Sequence, residues 1–428
     1  MSLKNKNILL CITGSISCYK SIDLYRRLKK AGANVKIIVS ASAAKFISPY
    51  IFESFGEQVF EDDAFKSPLS HIELSKFADI ILIAPATYNT INKIASGIAD
   101  TLITLTAAAA PDKPKLLVPA MNPNMYANKI LKENLKRLCA FNFSSVSPAT
   151  GAAACGDYGE GKFPEIDDII FEVESAFKEK TLKGKKVLVT AGATREYLDP
   201  VRFLSNGSSG KMGISLANAA VQAGAEVTLI ALNIGGSYSC DINGIGSMNG
   251  INSINGIYVN SRIKIINRTD FAGLKEALLA EFKKTDILFM AAAVSDYSFK
   301  EKSPVKIKKN SIIENSDEND KNSVNNTSPP ILKIELVQNE DLLKAVSSIK
   351  RAGQIVFGFA AETDSIIENG RKKLAEKSLD YIFINDVSKD IIGGEENEGF
   401  LINKSGEIKT FKRESKEKLA EKLIEEIG

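Results

Sequence analysis

Short apolar runs alternate with helical stretches along this chain, and the alternation occurs twice. In the first half, four almost continuously apolar runs lie at residues 7–13, 35–40, 79–84 and 116–119. Strands that are apolar at nearly every position are usually buried on both faces of a parallel sheet. Helical patterns separate these runs, for example at residues 17–30 and 89–108. The first half is therefore predicted to form a parallel sheet covered by helices.

A lysine-rich stretch at residues 178–186 interrupts this pattern, which then starts again. The later apolar runs lie at residues 186–190, 226–231, 286–291, 355–358 and 381–384. A chain of 428 residues also exceeds what one hydrophobic core normally serves. We therefore predict an α/β protein with two consecutive Rossmann-like, doubly wound domains and mostly parallel sheets. The predicted domains cover residues 1–181 and 182–428.

Two polar segments interrupt the second domain. Residues 235–257 are rich in Asn, Gly and Ser, and residues 310–330 are polar and rich in Asn. Neither composition can bury a core, so we expect surface loops or disorder at both places.

Composition argues against several classes of protein. With 55 basic and 52 acidic residues, the net charge of +3 gives no general reason to expect nucleic acid or membrane as a partner. The five cysteines are scattered and lack C-x-x-C spacing, which argues against a disulfide framework and a zinc site. Without a signal-peptide pattern or an apolar run of bilayer length, a cytoplasmic location is expected.

Small and polar residues follow the apolar runs of the first domain. The turn that begins at Gly14 opens a helix and suits a phosphate, although many such turns bind nothing. It does not match G-x-G-x-x-G, which makes a standard NAD site less probable. Residues 84–90 and 119–126 end two further strands, where open α/β sheets bind ligands, but Thr, Asn and Pro there also suit helix caps.

Two other residues of the first domain are candidates for chemistry. His71 is the only histidine, and a single histidine is more often structural than catalytic. Cys155 lies in a glycine-dense segment, where a thiol is more accessible than in a core.

Taken together and in order, residues 14–20, 70–74, 84–90, 119–122 and 154–156 resemble the phosphopantothenoylcysteine decarboxylase family of flavin-containing cysteine decarboxylases. The resemblance implies that His71 is the active-site base, that Asn122 holds the substrate carboxylate and that Cys155, on a flap, donates a proton. It also implies that the flavin oxidises the substrate thiol, which provides an electron sink for CO2 loss, and then returns hydride. The implied FMN contacts are Gly14, Ser15, Ile16, Ser40, Thr87, Asn89, Thr90 and Ala120.

The second domain contains a glycine- and serine-rich turn within residues 199–213. The pair at 210–211 does not complete a P-loop, because Ser205 stands where that motif needs glycine and Met212 where it needs Ser or Thr. The turn could still hold a phosphate on backbone amides. Asp296, at the end of a later strand, could hold a metal ion, and the lysines at 306–309 could neutralise a triphosphate, although lysine runs are more often solvated surface.

Residues 199–213, with the strand ends at 291–297, 357–363 and 385–386, resemble the phosphopantothenate–cysteine ligase family. The resemblance implies that Arg202 and Asn206 act on the phosphopantothenate side, with Asn206 assisting at an acyl-cytidylate. It further implies Mg2+ on the phosphates, with Asp296 as the candidate metal ligand and Lys306 stabilising phosphate charge. The residues implied to surround CTP are Ala292, Asp296, Lys306, Asp341, Phe359, Lys373 and Lys377.

The two resemblances describe consecutive reactions. They imply CTP-dependent ligation of 4′-phosphopantothenate with L-cysteine, followed by FMN-dependent decarboxylation of the product to 4′-phosphopantetheine, in coenzyme A biosynthesis. They also imply a homo-oligomer with trimeric decarboxylase and dimeric ligase contacts, compatible with a dodecamer.

The sequence disfavours two alternative functions. A tandem NAD(P) oxidoreductase would show G-x-G-x-x-G followed by an acidic residue some 20 residues later, and neither half does. A non-enzymatic flavoprotein with a regulatory role would tolerate loss of His71, Asn122 or Cys155, and all three are present.

Overall fold

The computed structural model describes residues 2–63, 69–152, 156–234, 253–254, 257–308, 332–386 and 394–428. The described residues form two compact units, the first ending at Glu179 and the second beginning at Lys180. Each unit has its own main sheet.

The first unit is built on a six-stranded sheet in the order β3-β2-β1-β4-β5-β6, in which every neighbouring pair is parallel. The strand order reverses between β1 and β4, and open α/β sheets bind ligands at such a reversal. The predicted parallel sheet is therefore confirmed. Its strands are β1 (Asn7–Ile12), β2 (Asn34–Val39), β3 (Val59–Glu61), β4 (Ile80–Ala86), β5 (Lys115–Pro119) and β6 (Phe143–Ser145).

Strand β1 is buried on both faces, as its continuous apolar sequence predicts. Ile8, Leu10 and Ile12 contribute to one hydrophobic cluster, while Leu9 and Cys11 contribute to a second cluster on the opposite face. All five side chains are fully buried.

Helices cover both faces of this sheet. The helical pattern predicted at residues 89–108 is wrong as a single helix, because α4 and α5 divide it. Gly97 adopts φ +73°, which ends the first helix, and Thr101 starts the next with a capping box to Thr104. The helices are α1 (Lys20–Lys30), α2 (Tyr50–Glu53), α3 (Ser70–Phe77), α4 (Tyr88–Ala95), α5 (Leu102–Ala108), α6 (Pro123–Ala127), α7 (Lys129–Leu138) and α8 (Ile166–Ala176). Strands β7 (Ala149–Ala152) and β8 (Tyr158–Lys162) form a separate antiparallel pair.

The second unit contains an eight-stranded sheet in the order β15-β12-β9-β16-β19-β20-β21-β22. The six strands from β15 to β20 are parallel, so the expectation of a mostly parallel sheet is confirmed. The last two strands are antiparallel, and no apolar run in the sequence predicted them. The strands are β9 (Lys186–Gly192), β12 (Glu226–Leu232), β15 (Lys264–Arg268), β16 (Ile287–Met290), β19 (Ile355–Glu362), β20 (Tyr381–Asp386), β21 (Glu396–Asn403) and β22 (Ile408–Ser415).

Five helices and three short antiparallel pairs complete the described part of this unit. The helices are α9 (Lys211–Gln222), α10 (Phe271–Phe282), α11 (Leu342–Ser348), α12 (Ile366–Glu376) and α13 (Lys416–Glu425). The pairs are β10 (Arg195–Tyr197) with β11 (Phe203–Ser205), β13 (Ser253–Ile254) with β14 (Ile257–Tyr258), and β17 (Tyr297–Phe299) with β18 (Leu336–Gln338).

The two polar segments lie mostly outside the described residues. This holds for residues 235–252, 255–256 and 310–330. Within the first segment, the backbone of residues 253–254 pairs with residues 257–258, where the sequence predicted only loop or disorder. In the described part of the chain, no helix has both the length and the apolar character needed to cross a bilayer.

Candidate active sites

In the first unit, a cavity of about 820 Å³ lies where the carboxyl ends of β1 to β5 meet. Loops that follow each of these strands contribute to its lining. The structure brings together in this lining all eight residues predicted to contact FMN, and Asn122 with them: Gly14, Ser15, Ile16, Ser40, Thr87, Asn89, Thr90, Ala120 and Asn122.

Two hydroxyl groups connect the loops around this cavity. Thr13 Oγ1 donates to the carbonyl of Pro85 at 2.7 Å and accepts from the amide of Thr87 at 3.1 Å. Ser15 Oγ donates to the carbonyl of Ala120 at 3.1 Å. The loops after β1, β4 and β5 are therefore held to each other across the point where the strand order reverses.

Gly14 occupies a position with no room for a larger side chain. A Cβ built there would lie 2.3 Å from Ser42 Cβ, closer than real Cβ atoms approach. The loop after β1 can therefore approach the loop after β2 only because residue 14 is glycine.

Threonine hydroxyls organise the start of helix α4. Thr87 Oγ1 accepts from the amide of Thr90 at 3.3 Å and lies 3.0 Å from Thr90 Oγ1. Ser40 Oγ similarly accepts from the amide of Ala43 at 3.1 Å. These side chains serve as helix or turn caps, and they also line the cavity.

Asn122 joins the cavity to the β7–β8 pair. Its Oδ1 accepts from the amide of Asn124 at 2.8 Å, and its Nδ2 donates to Asp157 Oδ2 at 2.6 Å. Gly161, on β8, passes so close that a Cβ there would lie 2.4 Å from the carbonyl oxygen of Met121. Cys155, which follows β7 in the sequence, lies outside the described residues.

His71 is not among the described residues that line this cavity. It is the second residue of α3 and is half-buried. Its Nδ1 atom is buried and has no hydrogen-bond partner within the described chain. The structure therefore does not include the predicted base in the lining that holds the predicted FMN contacts and Asn122.

One acidic residue of the cavity was missed by sequence reasoning. Asp62, just after β3, lines the cavity, and its Oδ1 accepts from the amide of Ile103 at 2.7 Å. Burial raises the pKa of Asp62, while this amide and a hydrogen bond from Thr101 oppose the rise. Because β3 is short and only partly buried, no apolar run marked the position that precedes Asp62.

In the second unit, a cavity of about 510 Å³ lies at the carboxyl ends of β16, β19 and β20, beside the start of α9. Six of the seven residues predicted to surround CTP line it: Ala292, Asp296, Asp341, Phe359, Lys373 and Lys377. Lys306, Arg202 and Asn206 are not among its described lining residues.

The loop after β16 is fixed by buried threonines and by Asn206. The amide of Ala292 donates to Thr190 Oγ1 at 3.1 Å, and the amide of Ser295 donates to Thr194 Oγ1 at 2.9 Å. Asn206 Nδ2 donates to the carbonyl of Val294 at 3.0 Å. Asn206 is therefore exposed at the edge of this loop and directly bonded to it.

Two predicted lysines are paired with carboxylates. Lys377 Nζ lies 2.9 Å from Asp341 Oδ2, and Lys373 Nζ bonds to Glu362. Asp341 also caps α11 by accepting from the amides of Leu343 and Lys344. Burial acts to raise the pKa of Asp341, but Lys377 and these amides outweigh it and hold the pKa below its usual value.

Asp199 links Arg202 to the segment that contains Lys306. Its Oδ1 accepts from the amides of Val201 and Arg202, both at 2.8 Å. Its Oδ2 accepts from Arg202 Nη1 at 2.8 Å and from the amide of Ile307 at 3.1 Å. Burial acts to raise the pKa of Asp199, but the three backbone amides and the charge of the Arg202 guanidinium hold it below its usual value.

Arg202 completes this link by donating from Nη2 to the carbonyl of Ile307 at 3.2 Å. Lys306, directly before Ile307, is exposed. The structure therefore brings Arg202 next to the residue that follows Lys306, and neither Arg202 nor Lys306 is among the described residues that line the cavity.

The start of α9 packs tightly on the sheet. A Cβ at Gly213 would lie 2.5 Å from Ala191 Cβ, so glycine allows the helix to contact β9. Lys211, the first residue of α9, pairs with Glu395 and lines the cavity. The predicted phosphate-binding turn therefore borders the same cavity as the CTP residues.

Sequence reasoning missed the contribution of the antiparallel edge. Glu396 and Asn397 of β21 and Lys416 of α13 also line the cavity, as does Asn385 of β20. The sequence indicated residues 385–386, which include Asn385, as the end of a strand. No continuous apolar run predicted β21. Across the described residues, no group of three or more His, Cys, Asp or Glu side chains is arranged to hold a metal ion.

Comparison with protein families divides the chain at the same region. Residues 1–178 match the Flavoprotein family, and residues 182–245 and 248–428 match the DNA/pantothenate metabolism flavoprotein C-terminal domain.

Several curated relatives match nearly the whole chain. The coenzyme A biosynthesis bifunctional protein CoaBC of Bacillus subtilis is 37% identical, over 100% of this chain and 97% of the relative. The protein of that name from Borreliella burgdorferi is 37% identical, over 98% of each chain. The one from Escherichia coli is 34% identical, over 100% of this chain and 98% of the relative. With two cavities on two sheets and this similarity over its whole length, the chain belongs to the CoaBC family of bifunctional enzymes of coenzyme A biosynthesis.

Proposed function

We propose that the second unit ligates 4′-phosphopantothenate to L-cysteine at the expense of CTP, and that the first unit decarboxylates the product with FMN. One observation carries the proposal. Among the described residues, those predicted for FMN line only the first cavity, and the CTP residues that line a cavity line only the second.

The charges of the second cavity suit a nucleoside triphosphate. Lys373 and Lys377 extend from α12 towards it, and Lys211 lies at the opposite side, at the start of α9. Lysine side chains supply compact positive charges that balance phosphate oxygens. Their carboxylate partners, Glu362, Asp341 and Glu395, hold these lysines in place until phosphates compete for them.

Mg2+ would accompany the triphosphate. Asp296 is exposed in the cavity and offers one carboxylate. Mg2+ is commonly held by one or two carboxylates together with substrate phosphates, so a single aspartate fits this arrangement better than a complete protein cage would.

The ligation itself requires two displacements. The carboxylate of 4′-phosphopantothenate attacks the α-phosphorus of CTP and pyrophosphate leaves; the cysteine amine then attacks the acyl-cytidylate and CMP leaves. Asn206 is placed to donate to developing negative charge beside the loop after β16, because its Nδ2 already lies there on the carbonyl of Val294. Arg202 and the amide of Ile307, which follows Lys306, share Asp199 as acceptor, and this arrangement supports a joint role for Arg202 and Lys306 in supplying positive charge to the substrate.

The residues of the first cavity fit FMN. The cavity has the volume of a cofactor site, and the absence of a side chain at Gly14 lets backbone line one wall. Serine and threonine hydroxyls surround it, and Lys20 and Lys162 supply positive charge. When bound, FMN supplies a two-electron acceptor for the substrate thiol and returns the electrons after CO2 has left, so the overall reaction is redox-neutral.

The chain's own residues would orient the substrate and move protons. Asn122, held by Asn124 and Asp157, offers an amide to the substrate carboxylate. Cys155 would donate the proton that completes the product, and His71 would act as the base.

The position of His71 supports a homo-oligomer. Its buried Nδ1 has no partner in the described chain, and no residue of α3 is among the described lining of this chain's cavity. A cavity completed by a second copy, within the trimeric decarboxylase contacts and dimeric ligase contacts of a dodecamer, accounts for both facts. A reducing cytoplasm suits such an enzyme, because Cys155 must remain a free thiol.

The direct test is mass spectrometry of the purified protein with 4′-phosphopantothenate, L-cysteine, CTP and Mg2+. We expect 4′-phosphopantetheine and CMP, and neither when CTP is omitted. Accumulation of phosphopantothenoylcysteine without any 4′-phosphopantetheine would contradict the decarboxylase assignment. No amide product from a folded, flavin-containing protein would remove the ligase assignment.

A mixing experiment tests the role of His71. The His71→Ala variant keeps its flavin cavity, and Gly14→Ala loses that cavity but keeps His71. If His71 serves the cavity of another copy, co-expressed variants regain decarboxylation of supplied phosphopantothenoylcysteine. If His71 acts within its own copy, mixed oligomers stay as inactive as either variant alone.

A further inference from the structure

One residue that lines the second cavity carries a buried acceptor for which the described part of the chain supplies no donor. Asn385, at the end of β20, lines this cavity. Its Oδ1 atom is buried, and within the described part of the chain it has no hydrogen-bond partner. A buried carbonyl oxygen that lacks a donor is costly unless a ligand supplies one.

A fixed backbone donor determines the orientation of this amide. Asn397 Oδ1 accepts from the amide of Glu398 at 2.9 Å, and a backbone N–H can only donate. The same oxygen accepts from Asn385 Nδ2 at 2.8 Å. Since Asn397 must present its oxygen to both, Asn385 must present its nitrogen to Asn397, and its own Oδ1 is left to accept from another donor.

An aromatic residue lines the same cavity as Asn385. Phe359 lines the same cavity on β19, the neighbouring parallel strand. Its partner in the register is Phe383, two residues before Asn385. Proteins commonly read a nucleobase by stacking it on an aromatic ring and hydrogen-bonding its polar edge.

We propose that Asn385 accepts a hydrogen bond from the exocyclic amino group of the bound pyrimidine, and that Asn397 is the positioning residue that fixes its amide for this purpose. The pair then selects CTP over UTP. Cytosine presents an amino donor where uracil presents a carbonyl acceptor, so UTP would place two acceptors against each other in a buried place. This inference rests on the proposed ligase function.

The alternatives make different predictions. A ribose hydroxyl or the cysteine ammonium could also donate to Asn385 Oδ1, but each is the same whether the nucleotide is CTP or UTP. The ratio of kcat/KM with CTP to kcat/KM with UTP therefore reports recognition of the base alone.

The test is kcat/KM for amide formation by the full-length protein with CTP and with UTP, together with calorimetric binding of each nucleotide with Mg2+. We expect the unaltered protein to prefer CTP by about tenfold or more, from one mismatched buried hydrogen bond. Asn385→Leu removes the acceptor and Asn397→Ala frees the Asn385 amide to rotate, so each should bring the ratio close to one. Asn397→Asp keeps an acceptor for both donors and should retain most of the preference.

Asn403→Ala is the matched control. Asn403 is an asparagine at the opposite end of β21, where its Oδ1 accepts from the amides of Ser405 and Glu407. In the Asn403→Ala variant, the ratio of kcat/KM with CTP to kcat/KM with UTP should equal that of the unaltered protein.

The outcomes separate this inference from the proposed function. Two results would overturn the role of the pair while leaving the ligase intact. One is an equal kcat/KM with CTP and UTP in the unaltered protein, and the other is an equal fall in kcat/KM with both nucleotides in Asn385→Leu. If no amide forms with any nucleotide, the ligase proposal fails, and the binding ratio still decides whether the pair reads the base.

Discussion

The two cavities lie at the same place in their sheets but hold different kinds of side chain. The first is lined mainly by hydroxyl and amide groups, and its charged lining residues are Lys20, Asp62, Lys93 and Lys162. The second is lined by more charged residues, of both signs. They are Lys211, Asp296, Glu340, Asp341, Lys373, Lys377, Glu396 and Lys416.

This difference shows two ways of preparing a site for a phosphate-bearing ligand. In the first unit, hydrogen bonds from Thr13 Oγ1 to the carbonyl of Pro85, from Ser15 Oγ to the carbonyl of Ala120 and from the amide of Thr87 to Thr13 Oγ1 hold neighbouring loops together. In the second, ion pairs such as Lys377 with Asp341 keep charges in position. Exposed ion pairs are screened by salt, whereas buried hydroxyl bonds are not. The second site should therefore respond more strongly to ionic conditions.

The largest effect is expected for Asn206→Asp, which should separate the two activities. The new carboxylate cannot donate to Val294 or to developing negative charge, so amide formation should fall by about 100-fold or more. Decarboxylation of supplied phosphopantothenoylcysteine should remain normal in the same preparation. Equal loss of both activities would contradict the separation of the two sites.

Gly14→Ala is the reciprocal change in the first unit. Its methyl group would meet Ser42 Cβ at 2.3 Å, so the loops must separate and flavin content should fall by about tenfold or more. Absorbance of bound flavin measures this, and ligation by the same protein is the control. Adding Ser42→Gly should restore part of the flavin, and no recovery at all would show that crowding at Ser42 is not the cause.

Lys377→Ala tests the difference in charge. Removing this lysine should raise KM for CTP by about tenfold and should make that KM less dependent on salt, because one screened charge is gone. Titration of KM between low and high salt measures both. Flavin affinity of the first unit should change little over the same range; a comparable salt dependence there would contradict the comparison.

The smallest effect concerns two aspartates whose pKa values move in opposite directions. The raised pKa of Asp62 means that its charge costs stability at neutral pH, and this cost appears as pH rises through the unfolded value of about 3.9 and the higher folded value. Asp341 has a lowered pKa, so it contributes stability above the unfolded value and loses it as pH falls through the lower folded value.

Asp62→Asn should therefore raise the melting temperature at pH 7 by about 2 °C, with a smaller gain at pH 4. Asp341→Asn should lower it at pH 7 and change it less at pH 4. Circular dichroism melts of the two variants at both pH values measure this. Changes in melting temperature of the same sign for both variants at pH 7 would show that the local environments of the two carboxylates are not as described.

The sheets could be predicted because their central strands are buried on both faces. Such burial demands continuous apolar runs, and residues 7–13 and 186–190 both became central strands. Strand β22 could not be found in this way. Its alternation of exposed lysines with the buried Phe411 belongs to an edge strand, which carries no continuous run.

The sites were partly predictable for the same reason. Residues directly after a predicted strand, such as Thr87 and Ala292, reached a cavity because carboxyl ends converge there. Asn397 could not be predicted, since it enters the cavity from an antiparallel strand. Nor could the pairing of Asp199 with Ile307, which joins residues more than a hundred positions apart.

The order of the strands also has a consequence for how the protein is made. All six strands of the first sheet come from residues 7–145, so that sheet can close while the second half is still being synthesised. The second sheet must wait, because α9 packs against α13, which begins at Lys416. A chain truncated before β22 would thus contain every strand of the first sheet, while its second sheet would lack the antiparallel edge.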